Sequence, residues 1–217
     1  MLAIEKNDNL ITVPEALKYV GYIGGTLGIL ATFVSTMVYL PGHPDFSFFT
    51  TYLSDISDTP GWPQIIFNSG TLIAAPIRYL FIVLLVMRLS QMGTGRTFSI
   101  SVLTIGLIST FGTVLMTAVP FSVASAVHKS GIGLYFLGVV FLQSTIFIQQ
   151  WRMKEIPRLL PLTSILMVVI FMVFFALVML FEAGVVSRNT PVIWEWLCFA
   201  SSIVWVFAQS VCLGHAV

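Results

Sequence analysis

Apolar residues fall in six unbroken runs, at about 17–40, 64–89, 97–119, 125–150, 159–181 and 191–213. Each is long enough to cross a bilayer, which takes about 20 residues of helix. The runs are continuous rather than alternating, which argues against a barrel. The pattern predicts an all-α polytopic membrane protein: one domain, 1–217, folded as a six-transmembrane helical bundle. No internal repeat, low-complexity tract or second domain breaks it.

Between the first two runs lies the segment 52–70, Y-L-S-D-I-S-D-T-P-G-W-P-Q-I-I-F-N-S-G. It carries two carboxylates, Asp55 and Asp58, and a turn cluster of Thr59, Pro60, Gly61, Trp62 and Pro63. It then runs directly into an apolar helix. The basic residues set the expected orientation. Lys6, Lys18, Arg88, Arg96, Arg152, Lys154 and Arg158 fall on one side, against Lys129 and Arg188 on the other. Basic loops stay inside, so both termini are expected to be cytoplasmic. The acids Asp45, Asp55, Asp58, Glu182 and Glu195 then share the opposite side. The first 16 residues lack a signal-peptide pattern, and the first span is expected to serve as its own insertion signal.

Composition supports the membrane reading. The chain has 217 residues, 57% of them hydrophobic and 9% charged, with a mean hydropathy of +0.97. Soluble domains run near ~25% charged. A net charge of +1 gives no case for nucleic-acid binding. Cys198 and Cys212 lie in one apolar run, roughly 21 Å apart as a helix, which is too far for a disulfide.

Within the spans, Gly21, Gly24, Gly25 and Gly28 form small-xxx-small pairs that let backbones approach closely. Packing inside the bundle is the first reading. A homo-oligomer through the Gly21/Gly25/Gly28 face is the second. His128, Gly131, Tyr135 and Gly138 share one helix face. Glu195, Phe199, Ser202 and Gln209 mark an inward polar side of the last span.

Asp55, Asp58, His128, Glu182 and Glu195 fall at a common depth. Ionisable groups at a membrane interface are costly unless paired or solvated, which makes them site candidates. The plainer alternative is that they sit in wet loops. Trp194 and Trp196 read as interface anchors. Arg78 lies well inside the second span, two residues after Pro76, and its charge is permanent. It is expected to face a polar cluster of the bundle or a lipid phosphate. The candidate ligand-binding set is Asp55, Asn68, Arg78, His128, Glu182 and Glu195. No spaced ligand signature points to a metal, and no cofactor is expected. Ser54 and Ser57 lack the nucleophile elbow of a serine hydrolase.

Three segments taken in order resemble the Frag/DRAM/Sfk membrane proteins, which include autophagy modulators and a factor for lipid remodelling of GPI anchors. Leu53-Ser54-Asp55, running through Pro60 or Pro63 to Phe67, is similar to that family's I-S-D…P…F signature. Val127-His128-Lys129-Ser130-Gly131, with Phe136 and Gln143, is similar to its V-H…G…F…Q segment. Glu182-Ala183-Gly184-Val185 followed by Glu195-Trp196 resembles its E-A-G…E-W ending. The chain departs from the commoner Ser-Asp-x-Gly by reading Ser54-Asp55-Ile56-Ser57-Asp58. The resemblance implies a role in membrane-lipid organisation or remodelling and singles out Asp55, His128, Glu182 and Glu195.

Two functions are therefore expected. One is a lipid-interacting membrane protein whose polar pocket, on the non-cytoplasmic side, binds a lipid headgroup or a membrane-protein partner. The other is an intramembrane lipid-modifying hydrolase or transferase using His128 as base with Asp55 or Glu195 as its acid partner. A transporter is disfavoured, because no inverted repeat or broken helix pair is present.

Overall fold

The computed structural model describes residues 11–119 and 123–215. Lys6, counted above for orientation, lies outside the described residues. Six long helices carry the apolar runs: α1 (Val13–Tyr39), α3 (Trp62–Gln91), α4 (Arg96–Ala118), α5 (Ser125–Arg152), α6 (Leu159–Glu182) and α7 (Val192–Leu213). A short helix, α2 (Leu53–Asp58), stands between α1 and α3. Among the described residues there is no strand. The six long helices are each apolar enough to cross a bilayer, so this is an integral, multi-pass membrane protein.

Local chemistry sets the ends. Thr12 caps α1 through a capping box, its N–H donating to Glu15 Oε2 at 2.9 Å. The third helix begins two residues earlier than the apolar pattern predicts. Gly61 takes φ of +102°, a conformation open to glycine, and Trp62 and Pro63 then form the first turn.

The long helices form a ring. Each packs on its neighbours along the chain, and α7 returns to α1. At one end the ring is filled. Leu17, Phe81, Leu85, Leu89, Ile146 and Leu160 are fully buried there. Gln150 and Gln209 exchange amide hydrogen bonds at 2.7 and 3.3 Å, and the Trp205 indole donates to Ser164 Oγ at 2.9 Å. These four side chains thus satisfy one another.

Close approach depends on two glycines. A Cβ on Gly112 would lie 2.5 Å from the Tyr135 nitrogen, and one on Gly131 would lie 2.6 Å from the Met116 nitrogen. Helices α4 and α5 touch backbone to backbone at this point. The Gly21/Gly25/Gly28 face is occupied inside the chain: Ser210, Phe207 and Ile203 of α7 lie against it, with Phe81 of α3 also at Gly21. This is the intramolecular packing expected first.

A central cavity under a short helix

The other end of the ring is hollow. A cavity of about 700 Å³ is lined by side chains from all six long helices and from α2. Along α3 the lining runs from Phe67 to Phe81, about 20 Å of helix. All six residues of the expected set, Asp55, Asn68, Arg78, His128, Glu182 and Glu195, line this one cavity. Phe199 and Ser202 line it as well, as the inward face of the last span predicts.

Helix α2 sits at the mouth. Six residues are too few for an isolated helix to be stable. Its stability is tertiary. Leu53 and Ile56 are buried, at 6% and 0% exposure. Asp55 accepts from the Tyr52 N–H at 2.9 Å, closing the first turn. Glu195, reaching from α7, accepts from the N–H groups of Leu53 at 2.6 Å and Ser54 at 3.4 Å. Asn68 of α3 donates to the Ser57 carbonyl at 3.4 Å.

The α6–α7 connection clamps the same segment. Arg188 pairs with both Asp55 carboxylate oxygens, at 2.5 and 2.7 Å, and donates to the Thr50 carbonyl at 3.2 Å. Its guanidinium lies 4.8 Å over the Tyr52 ring, while the Tyr52 hydroxyl donates to the Arg188 carbonyl at 2.7 Å. The bond to Asp55 raises the Arg188 pKa above its ordinary value. Burial pushes the Tyr52 phenol up to about 12, with the nearby Glu195 carboxylate adding to the shift. Tyr52 therefore stays neutral and acts as a donor.

The remaining candidates differ from these anchors. His128 Nδ1 lies 2.9 Å from the Val119 carbonyl, which can only accept, so this nitrogen carries the proton. Asp58 lies nearby; burial raises its pKa, and His128 partly offsets that shift. His128 shares the cavity with Glu182 and Glu195. Arg78 lies deep in the cavity. Its Nη2 donates to Thr113 Oγ1 at 2.6 Å and to the Ser109 carbonyl at 3.4 Å, and its guanidinium lies 5.1 Å over the Tyr135 ring. It faces a polar cluster of the bundle, one of the two placements expected. Glu182 ends α6 with its side chain exposed at the mouth. Among the described residues, no group of three potential metal ligands gathers.

Two residues of this end escaped the sequence reading. Arg188 was counted only as a loop cation. Its signal was its position, one of two bases, with Lys129, on the side that carries the acids. Trp196, read as a headgroup anchor, instead donates to the Thr51 carbonyl at 2.9 Å and meets Phe48 edge-on at 4.8 Å. It fixes the first loop.

A closed ring of six apolar helices around one chamber defines the class: a polytopic membrane protein with an internal cavity. No protein-family model, curated protein or solved structure matches the chain.

Proposed function

We propose that this protein binds a membrane lipid, with the headgroup end of the lipid in the cavity beneath α2. The observation that carries the reading is the composition of one enclosed space. Its walls are largely apolar, its mouth is polar, and a half-buried arginine stands within it. A volume of about 700 Å³ is that of a small-molecule site, which typically spans about 300–1,000 Å³. An amphiphile matches such a lining. We place the α2 end on the non-cytoplasmic side, following the distribution of basic residues. The resemblance of three segments to Frag/DRAM/Sfk proteins is in keeping with a role in membrane-lipid organisation or remodelling.

One observation favours catalysis as a second reading. With Nδ1 donating to the Val119 carbonyl, a general-base role for His128 falls to Nε2. Asp55 and Glu195, however, are engaged in holding α2, which leaves Asp58 as the acid partner for His128.

Incubation of purified protein with labelled lipids separates the readings. The binding reading expects a lipid that stays with the protein chemically unchanged. Turnover that is abolished by His128→Ala, with the fold intact, would replace binding by catalysis.

A further inference from the structure

The charges of the cavity do not cancel in place, and their arrangement specifies a ligand. The inference rests on the lipid-binding reading above. Asp55 is neutralised by Arg188. Glu195 is satisfied by the N–H groups of α2. Two opposite charges are left over, Arg78 and Glu182, and both line the cavity.

Arg78 is half-buried in the bundle, and part of its surface is open to the cavity. Its neighbours are the Thr113 hydroxyl, the Ser109 carbonyl and the Tyr135 side chain, all of them neutral. Among the described residues, no carboxylate lies within 4.0 Å of it. A guanidinium offers five N–H donors in a planar fork; Nη2 is taken by Thr113 and Ser109, and the Tyr135 side chain engages the group as well, which leaves further donors unused. Helical side chains lean towards the helix N-terminus, and the N-terminus of α3 is at the mouth. The unused donors therefore belong to a site approached from the α2 end. A permanent cation in a membrane interior calls for an anion, and the fork matches a phosphate.

Glu182 supplies the complementary half. It ends α6 at the mouth, and among the described residues its carboxylate makes no hydrogen bond or ion pair. An acid in that position receives a cation.

We infer that the cavity selects a zwitterionic phospholipid, its phosphodiester on the Arg78 guanidinium and its ammonium group towards Glu182. Diacylglycerol lacks the first group. Phosphatidylglycerol lacks the second.

Native mass spectrometry of the full chain, exchanged separately into phosphatidylcholine, phosphatidylglycerol, diacylglycerol or inorganic phosphate, tests this. The wild type is expected to retain phosphatidylcholine most strongly. Arg78→Gln should lower that retention by roughly tenfold or more and leave diacylglycerol unaffected. Arg78→Lys, which keeps the charge without the fork, should fall between and control for folding. Glu182→Gln should abolish the preference for phosphatidylcholine over phosphatidylglycerol. Equal retention of phosphatidylcholine and diacylglycerol by the wild type would overturn the inference and leave lipid binding standing. So would an Arg78→Gln variant that holds phosphatidylcholine as before. Binding of inorganic phosphate through Arg78, with phospholipid excluded, would assign a free anion instead. Retention of no lipid at all would remove the lipid-binding reading itself.

Discussion

Glu195 on α7 holds the first turn of α2: its carboxylate accepts the Leu53 N–H at 2.6 Å, across 142 residues of sequence. A six-residue helix at a cavity mouth is thereby tied to a transmembrane span. Hydrogen bonds to charged groups contribute about 1.5–3 kcal/mol. Glu195→Ala is expected to cost stability of that order and to speed amide exchange at Leu53 and Ser54. Exchange unchanged at those two positions would mean that α2 is held elsewhere.

The Asp55–Arg188 pair is more exposed, at 32% and 48% of each side chain. Pairs of this kind contribute about 0–1 kcal/mol and weaken with salt. Asp55 also closes the α2 turn through the Tyr52 N–H, which Arg188 does not. Asp55→Ala should therefore lower the melting temperature more than Arg188→Ala does. Raising salt to about 1 M should erase the effect of Arg188→Ala and leave part of the effect of Asp55→Ala. Melts of the two variants at low and high salt provide the comparison.

Backbone contact between α4 and α5 makes a sharper contrast. Gly112→Ala would press a methyl group into the Tyr135 nitrogen and the Gly131 carbonyl. The expected cost is about 1–3 kcal/mol. Gly133, two residues beyond Gly131 on the opposite face of α5, has nothing within 4 Å of its missing Cβ. Gly133→Ala should be neutral or stabilising by about 0.5–1 kcal/mol, since it removes backbone freedom from the unfolded chain. Thermal melts in one detergent compare the two directly.

Asp58 gives a pH dependence. Burial raises its folded pKa above the unfolded value, so the folded protein prefers the protonated acid. The ionised group then costs stability as pH rises from about 4, its unfolded pKa, through the raised folded value. Asp58→Asn is expected to raise the melting temperature at neutral pH and to lose that advantage as pH falls towards about 4. The effect is small, because Asp58 keeps contact with solvent. A gain that instead grows towards acid would reverse the assigned sign.

The six spans were legible because a bilayer imposes a length and a hydropathy that local sequence must meet, and each observed helix end falls within four residues of the expected one. The shared depth of Asp55, His128, Glu182 and Glu195 was legible for the same reason, since position in a span fixes depth. What each carboxylate does was not. Asp55 and Glu195 look alike as acids on one side of a membrane, yet both are engaged in anchoring α2, while Glu182 is not. That difference depends on contacts across more than 130 residues, such as Arg188 to Asp55. Helix α2 was hidden because six residues carry too little periodicity and draw their stability from α7.

The central claim is that lipid occupies the chamber inside the ring rather than the outer surface of the bundle. Ser202 lines that chamber, and Ser202→Trp would fill part of it from within. Lipid remaining with purified wild type and with Ser202→Trp, quantified by native mass spectrometry at matched melting temperature, is the direct measurement. The account predicts about one tightly held phospholipid per wild-type chain and its loss from the variant. Equal retention by both proteins would contradict it.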